Sequence, residues 1–308
     1  MARKFLFCSR GDSPQQKKDI CAPRITMFLK YLFISLRPRH WIKNFFIFAA
    51  LIFAKKFTDW PAIRLSLFAF ILFCLASSGV YLINDVVDFK NDQEHPSKKN
   101  RPVASAKISR LTAAIGGILL IAAALLISWK LGLIFFWIVA GYVVLNLIYS
   151  FWLKRAVMID IICIALGFVL RVIAGAIVIG VFFSPWLILC TFFLTLFLAI
   201  GKRKSELVSV GSMARGVLVD YSLGMLNQMN TVVLPAILIT YTLYTFNTWQ
   251  SQWLILTVPV VLYGLFRYLY IFDKKSTSDD GPADDLWRDR PLQITLLVWL
   301  VMVLIILL

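Results

Sequence analysis

The sequence predicts an all-α, polytopic membrane protein with about nine transmembrane helices. Hydrophobic residues make up 60% of its 308 residues, and the mean hydropathy is +0.81. A soluble domain averages about 45–50% apolar residues, so this composition is that of an integral membrane protein. The apolar residues also fall into runs of about 17–25 residues, which is the length that a helix needs to cross a bilayer.

Nine such runs follow one another along the chain. They cover roughly residues 28–54, 61–83, 109–129, 131–151, 157–181, 185–201, 229–247, 253–272 and 291–308. The second run fades into an acidic segment, so we expect its helix to project beyond the apolar core of the bilayer. Residues 1–27 are polar and basic and are predicted to form a tail. Residues 28–308 are then one transmembrane domain.

Lysine and arginine are distributed unevenly between the two sides of the membrane. If the amino-terminal tail and every second connection lie on one side, that side carries 26 of these residues and the other side carries four. Such an excess marks the cytoplasmic side. The amino terminus is therefore predicted to be cytoplasmic, in the inner (plasma) membrane.

The same distribution restricts the function. The net charge of +16 is concentrated in connections between apolar runs, as in other polytopic proteins, which argues against a nucleic-acid partner. Nearly all acids share the cytoplasmic side, whereas a transporter needs polar groups reachable from both faces. The five cysteines show no CxxC spacing, so neither a disulfide framework nor a zinc site is predicted.

The segment after the second run is the strongest candidate for chemistry. If the helix continues through it at about 100° per residue, four oxygen-bearing side chains fall within an arc of roughly 100°. These are Asn84, Asp85, Asp88 and Asp92. Carboxylates on one face repel one another, and a set of hard oxygen ligands without His or Cys favours Mg²⁺. We therefore interpret the four residues as metal ligands and the three aspartates as candidate catalytic residues, the alternative being a solvated acidic loop.

Basic residues near this segment are candidates for binding phosphate. Lys98 and Arg101 follow the acids directly, and their side chains suit a phosphate-bearing partner. Lys43 lies in the first run and is either an interfacial anchor or a ligand of an anionic substrate. Tyr149 and Lys154 close the fourth run, where an aromatic belt with snorkelling bases is the alternative interpretation.

Two further sites combine charge with apolar surroundings. Lys202, Arg203 and Glu206 follow the sixth run, where they are either membrane anchors or a local helix pair. Arg171 lies well inside the fifth run, where a charge is costly and is expected to face a cavity or a partner on another helix. Asp160 is eleven residues earlier, a rise of roughly 16 Å that is too long for a direct ion pair.

With these residues assembled, the chain resembles the UbiA-type intramembrane prenyltransferase superfamily over roughly residues 30–308. The most specific element is NDVVDFKNDQEHPSKKNRPVASAKIS, supported by RPRHWIKN, YSFWLKR, LGFVLRVIAGA and GKRKSEL. The resemblance implies nine helices around a cavity open to the cytoplasm. It also implies that Mg²⁺ and a diphosphate bind at Asp-rich motifs after the second and sixth helices.

One departure from the superfamily pattern points to a particular branch. Aromatic-ring prenyltransferases usually carry a second DxxxD motif after the sixth helix, whereas this chain has Lys202-Arg203-Lys204-Ser205-Glu206. The chain therefore resembles the branch that transfers 5-phosphoribose from phosphoribosyl diphosphate to a polyprenyl (decaprenyl) phosphate, as does its WRDRPLQ segment. The resemblance makes one group of residues candidates for holding the substrate. These are Lys43, Lys98, Arg101, Tyr149, Lys154, Arg171, Lys202, Arg203 and Glu206.

Two other functions stay open at this stage. A transferase of the same superfamily could move a prenyl group from a prenyl diphosphate to an aromatic or other acceptor. A transporter or lipid flippase is the third hypothesis. The sequence also leaves open whether the protein forms homo-oligomers.

Overall fold

The computed structural model describes residues 26–94, 98–210, 216–247, 252–274 and 289–308, and every regular element in these ranges is helical. Residues 1–25 of the predicted tail lie outside the described residues, as does the beginning of the WRDRPLQ segment. The α-helices are α1 (Thr26–Ser35), α2 (Phe48–Phe53), α3 (Trp60–Val87), α4 (Phe89–Glu94), α5 (Arg110–Leu131), α6 (Leu133–Phe151), α7 (Ile159–Val178), α8 (Pro185–Val210), α9 (Leu223–Asn247), α10 (Val258–Lys274) and α11 (Arg290–Leu307). The longer 3₁₀ helices are Pro38–Ile47 before α2 and Gln252–Thr257 before α10.

Eight helical segments among the described residues are long and apolar enough to cross a membrane. They are Trp60–Val87, Arg110–Leu131, Leu133–Phe151, Ile159–Val178, Pro185–Val208, Leu223–Asn247, Gln252–Ile271 and Arg290–Leu307. They correspond to the second through ninth predicted runs, which confirms the all-α polytopic fold. The predicted count of nine is approximate because of the first run.

The first predicted run, 28–54, is not one continuous helix. It is divided into α1, the 3₁₀ helix Pro38–Ile47 and α2. The break falls at Arg37, whose backbone is left-handed (φ 53°, ψ 58°). The following proline disfavours the α-conformation in the residue before it and cannot continue the hydrogen-bonding pattern. Hydropathy alone did not reveal this interruption.

Small residues allow the helices to pack closely. A Cβ atom added at Gly79 of α3 would lie 2.8 Å from the carbonyl oxygen of Gly117 in α5, and one added at Gly117 would lie 2.9 Å from that of Gly79. Close backbone approach at small residues is typical of helix pairs in membranes. The pair fixes the position of α3, the helix that leads into the acidic segment.

Helix α7 lies at the centre of the bundle. It packs against α6, α8 and the 3₁₀ helix Pro38–Ile47, and it contributes to hydrophobic clusters on both sides. A Cβ atom added at Gly175 would lie 2.0 Å from the carbonyl oxygen of Ile47. Glycine is therefore required where the 3₁₀ helix crosses α7, and that 3₁₀ helix carries Lys43.

Candidate active site

The acidic segment lies at the end of α3 and nearly keeps the predicted helical geometry. Helix α3 ends at Val87, Asp88 forms a turn, and α4 begins at Phe89. The N–H of Asp88 still donates to the Asn84 carbonyl at 2.8 Å, and the N–H of Asp92 donates to the Asp88 carbonyl at 2.8 Å. The helical spacing that the sequence predicted therefore persists across the interruption, although two helices carry it in place of one.

Each aspartate of this segment is paired with a base. Arg37 donates to Asp85, and Arg101 bridges Asp85 and Asp92, with its Nη1 at 3.4 Å from Asp85 Oδ1 and 2.6 Å from Asp92 Oδ2. Lys154, from the short 3₁₀ helix after α6, pairs with Asp88. The structure thus joins the predicted residues Arg101 and Lys154 to the acidic segment and adds Arg37, which the sequence indicated only as part of the RPRHWIKN segment.

Burial explains why these bases are needed. The side chain of Asp85 is only 2% exposed and Asp92 is also buried, and a charge in such surroundings is costly unless it is paired. Within the described part of the chain, no three His, Cys, Asp or Glu side chains are grouped as a metal site. The metal-ligand assignment of Asn84, Asp85, Asp88 and Asp92 therefore stays a prediction.

The second predicted motif forms a network around Arg203 at the end of α8. Its Nε donates to Asp160 Oδ2 at 2.7 Å, its Nη1 donates to Glu206, and its Nη2 donates to the Tyr149 hydroxyl at 3.3 Å. Glu206 also lies 3.7 Å from Lys202. Tyr149, Arg203, Glu206 and Lys202 are therefore brought together, as members of one predicted site should be.

Asp160 belongs to this network, although it is not among the site residues predicted from the sequence. It was considered only as a partner of Arg171 on its own helix, whereas its partner is Arg203 on α8, 43 positions away. The signal available in the sequence was a lone acid at the start of an apolar run, five positions after the second of two adjacent bases.

The acidic segment and the second predicted motif are electrostatically connected. The charges of Lys43 and Lys98 both act on Lys202, and that of Lys98 acts on Glu206. The charges of Lys43 and Lys202 also act on His40, which lies outside the eight spans, together with those of Arg37 and Arg101. Burial, followed by the charges of Lys43 and Arg37, lowers the pKa of His40 to about 3. The imidazole of His40 is therefore neutral at physiological pH. The lysines and arginines around the acidic segment and the second motif together form one strongly basic site.

Arg171 occupies a different position from the other predicted substrate-binding residues. It is buried in α7, where its Nε donates to Asn44 Oδ1 at 2.7 Å, its Nη1 to the Gly167 carbonyl at 2.7 Å and its Nη2 to the Tyr142 hydroxyl at 2.8 Å. The guanidinium also lies 4.6 Å from the centre of the Tyr142 ring. The expectation of a partner on another helix is confirmed, since Asn44 lies in the 3₁₀ helix and Tyr142 in α6.

The chain is similar to several known proteins over most of its length. The sequence profile of the UbiA prenyltransferase family matches residues 44–287. The decaprenyl-phosphate phosphoribosyltransferase of Mycolicibacterium smegmatis is 32% identical over 286 residues, which cover 86% of this chain and 89% of that protein. The protein of the same name from Corynebacterium glutamicum is 31% identical over 279 residues, covering 86% of this chain and 83% of that protein.

The fold is also similar to a solved structure. A UbiA homolog from Archaeoglobus fulgidus bound to DMAPP and Mg²⁺ aligns with a TM-score of 0.65 at 19% identity, covering 90% of this chain and 98% of that chain. At this level of identity the similarity shows a common fold.

Proposed function

Because the chain belongs to the UbiA prenyltransferase family and is a transferase, we propose that it transfers 5-phosphoribose from phosphoribosyl diphosphate to a polyprenyl phosphate in an Mg²⁺-dependent reaction. Pyrophosphate is the leaving group. The phosphoribosyltransferase relatives, which align over most of their length, support this choice of donor and acceptor.

The observation that carries the proposal is the excess of bases over acids in the site that the acidic segment and the second motif form together. Five carboxylates belong to it: Asp85, Asp88, Asp92, Asp160 and Glu206. Seven bases surround them: Arg37, Lys43, Lys98, Arg101, Lys154, Lys202 and Arg203. A prenyl diphosphate presents only a diphosphate, whereas phosphoribosyl diphosphate carries a third phosphate on the sugar. Lys202, the base beside Glu206 whose side chain is 38% exposed, fits that additional phosphate.

The donor atoms of the acidic segment suit Mg²⁺. Asn84, Asp85, Asp88 and Asp92 offer only oxygen, which is the ligand type that this ion prefers, and they would hold it together with the diphosphate. When bound, Mg²⁺ neutralises charge that develops on the departing pyrophosphate. Arg37, Arg101 and Lys154 already lie against these carboxylates and would contact a diphosphate bound there.

The reaction itself needs no general base. The bond between the anomeric carbon and the pyrophosphate oxygen breaks, and a phosphate oxygen of the polyprenyl phosphate forms the new bond to that carbon. This nucleophile is already ionised at neutral pH, so the neutral His40 is not required to remove a proton. Fixed bases stabilise the charge on the leaving group, and removal of one such donor typically costs about 3 kcal/mol.

The test is transfer by the purified protein in lipid nanodiscs. Labelled phosphoribosyl diphosphate, Mg²⁺ and a polyprenyl phosphate should yield a lipid heavier than the acceptor by one phosphoribosyl group, together with pyrophosphate. Chelation of Mg²⁺ and Asp88→Ala should each abolish transfer. Asp59→Asn should leave it unchanged, because Asp59 is a partly exposed residue before α3 that is paired with Lys56. Failure of the wild-type protein to label any polyprenyl phosphate would refute the proposal.

The same preparation separates this function from its main alternative. Geranyl diphosphate, offered with an aromatic acceptor or a membrane extract, should give no prenylated product. Formation of such a product, with no phosphoribosyl transfer, would assign the chain to the prenyl-transferring members of its family.

The proposed orientation places the site and the amino terminus in the cytoplasm. The unequal distribution of lysine and arginine supports it. Alkaline phosphatase fused after Leu308 should be active in whole cells, because the carboxyl end of α11 would lie outside. An inactive fusion, with the protein inserted and stable, would contradict this orientation.

A further inference from the structure

Asp160 is a fully buried acid that the proposed chemistry does not use. Its side chain is 0% exposed in the first turn of α7. Arg203 Nε donates to its Oδ2 at 2.7 Å, and the Tyr221 hydroxyl donates to its Oδ1 at 2.6 Å. Asp160 therefore connects three segments, namely the start of α7, the end of α8 and the chain just before α9.

All three nitrogens of Arg203 donate hydrogen bonds to protein groups. Its three nitrogens donate to Asp160, Glu206 and Tyr149, and its side chain is 12% exposed. Because this guanidinium is nearly buried and three of its five N–H groups already donate to protein oxygens, it is poorly placed to bind a substrate phosphate. Lys202 differs, because its side chain is 38% exposed and its neighbour Glu206 is 3.7 Å away.

Tyr221 completes the arrangement. Its hydroxyl accepts the N–H of Met158 at 2.7 Å while it donates to Asp160. Met158 has a positive φ of 65°. Residues other than glycine rarely adopt this backbone conformation, and it persists only where the surrounding structure stabilises it. The same hydroxyl therefore fixes the beginning of α7 and the carboxylate of Asp160.

We propose that Asp160 is a positioning residue: by holding Arg203, it fixes the Glu206 carboxylate beside Lys202, where the phosphorylated ribose of the donor binds. Lys202 supplies the contact to the sugar phosphate, and Glu206 accepts hydrogen bonds from ribose hydroxyl groups. Arg203 acts between Asp160 and Glu206 without touching the donor. This inference rests on the proposed function, since it assigns the part of that site that recognises the donor.

Charge alternation explains why Asp160 matters at a distance. Along the network the charges alternate from Asp160 to Arg203, Glu206 and Lys202. Without the Asp160 charge, Arg203 is drawn fully onto Glu206, which moves this carboxylate away from its place beside Lys202 and from the ribose hydroxyl groups. The affinity for the donor should fall more than the rate of the chemical step, because the acidic segment still holds the diphosphate end of the donor.

The experiment measures kcat and the donor KM of phosphoribosyl transfer in nanodiscs. Asp160→Asn keeps the size of the side chain and removes its charge, and it should raise the KM for phosphoribosyl diphosphate about tenfold with a smaller change in kcat. The KM for polyprenyl phosphate should not change. Adding Glu206→Gln to Asp160→Asn should raise the donor KM much less than Glu206→Gln does alone, since both changes interrupt the same network.

Tyr241→Phe is the matched control for the loss of a buried hydrogen bond. Tyr241 is buried in α9 and bonded to Thr257 and Trp299, so this variant should lower the thermal midpoint without raising the donor KM. Tyr221→Phe should raise the donor KM. If Asp160→Asn does not accumulate, Arg203→Lys takes its place, because lysine keeps the positive charge but cannot reach all three partners. This variant should also raise the donor KM.

Two outcomes would overturn the inference. One is a folded Asp160→Asn enzyme with the donor KM of the wild type, and the other is an equal rise in donor KM for Tyr241→Phe. Absence of phosphoribosyl transfer by the wild-type enzyme is a separate result that removes the proposed function, and this inference falls with it.

Discussion

Arg171 Nε donates to Asn44 Oδ1 at 2.7 Å inside the helix bundle, and this bond ties α7 to the 3₁₀ helix Pro38–Ile47. Both residues are buried. The Asn44 amide donates onward to Cys74 Sγ at 3.2 Å and to Ser77 Oγ at 3.4 Å on α3. A single asparagine thus connects three helices directly beside Lys43.

Asn44→Ala is expected to destabilise the protein. It leaves the Arg171 Nε–H without its acceptor in a buried setting, which typically costs about 1.5–3 kcal/mol for a charged group. Heating followed by size-exclusion chromatography in detergent should show a thermal midpoint several degrees lower. Asn247→Ala, at the exposed end of α9, is the control and should have little effect. An unchanged midpoint for Asn44→Ala would show that the bond is unimportant.

Gly175→Ala should be severely destabilising. The new Cβ atom would lie 2.0 Å from the Ile47 carbonyl oxygen, so α7 and the 3₁₀ helix would have to separate. Overpacking of this kind costs about 1–3 kcal/mol or more. Gly141→Ala is the matched control, because no heavy atom lies within 4 Å of its added Cβ, and its better helix propensity should stabilise by up to about 1 kcal/mol. Similar thermal midpoints for the two variants would contradict the close crossing.

Arg101→Ala should reduce transfer strongly, because Arg101 bridges Asp85 and Asp92 and is a proposed diphosphate ligand. We expect kcat/KM to fall about 10²- to 10³-fold. Arg101→Lys should recover only part of the loss, since an ammonium cannot reproduce the fork of the guanidinium. Lys90→Ala, an exposed base on α4, should behave as the wild type. Full activity of Arg101→Ala would exclude Arg101 from the site.

His40→Gln should make the protein less sensitive to acid. Burial, with Lys43 and Arg37, lowers the pKa of His40 to about 3, whereas in the unfolded chain it is about 6.5. The unfolded state therefore binds a proton more readily, and stability falls as the pH decreases from 6.5 towards 3. Thermal midpoints at pH 7 and pH 4.5 should differ less for His40→Gln than for the wild type. An equal difference would mean that His40 does not contribute to acid sensitivity.

Several features of the site could be read from the chain because they are local. The helical spacing from Asn84 to Asp92 depends on backbone geometry within a few residues, and it persists in the hydrogen bonds of Asp88 and Asp92. The pair of Lys202 and Glu206 is likewise a neighbour relationship on one helix. Such relationships follow from the α-helical repeat and need no knowledge of the rest of the fold.

Relationships across the chain could not be read in the same way. The pairs Arg37–Asp85, Lys154–Asp88 and Arg203–Asp160 join residues 48, 66 and 43 positions apart. The break at Arg37 was also missed, because the first run is apolar enough to look continuous, although Pro38 was a visible signal.

The sequence by itself determined that this is a helical membrane protein, that its charges are concentrated in particular connections, and which segment carries its acids. These properties depend on the overall composition and on runs of consecutive residues, so they can be predicted from the sequence. The tertiary structure alone decided which base neutralises an acid that is distant in the sequence, as in Lys154–Asp88 and Arg203–Asp160. A buried charge must find a partner wherever helix packing brings one close, and the crossing of α7 with the 3₁₀ helix at Gly175 has no counterpart in local sequence.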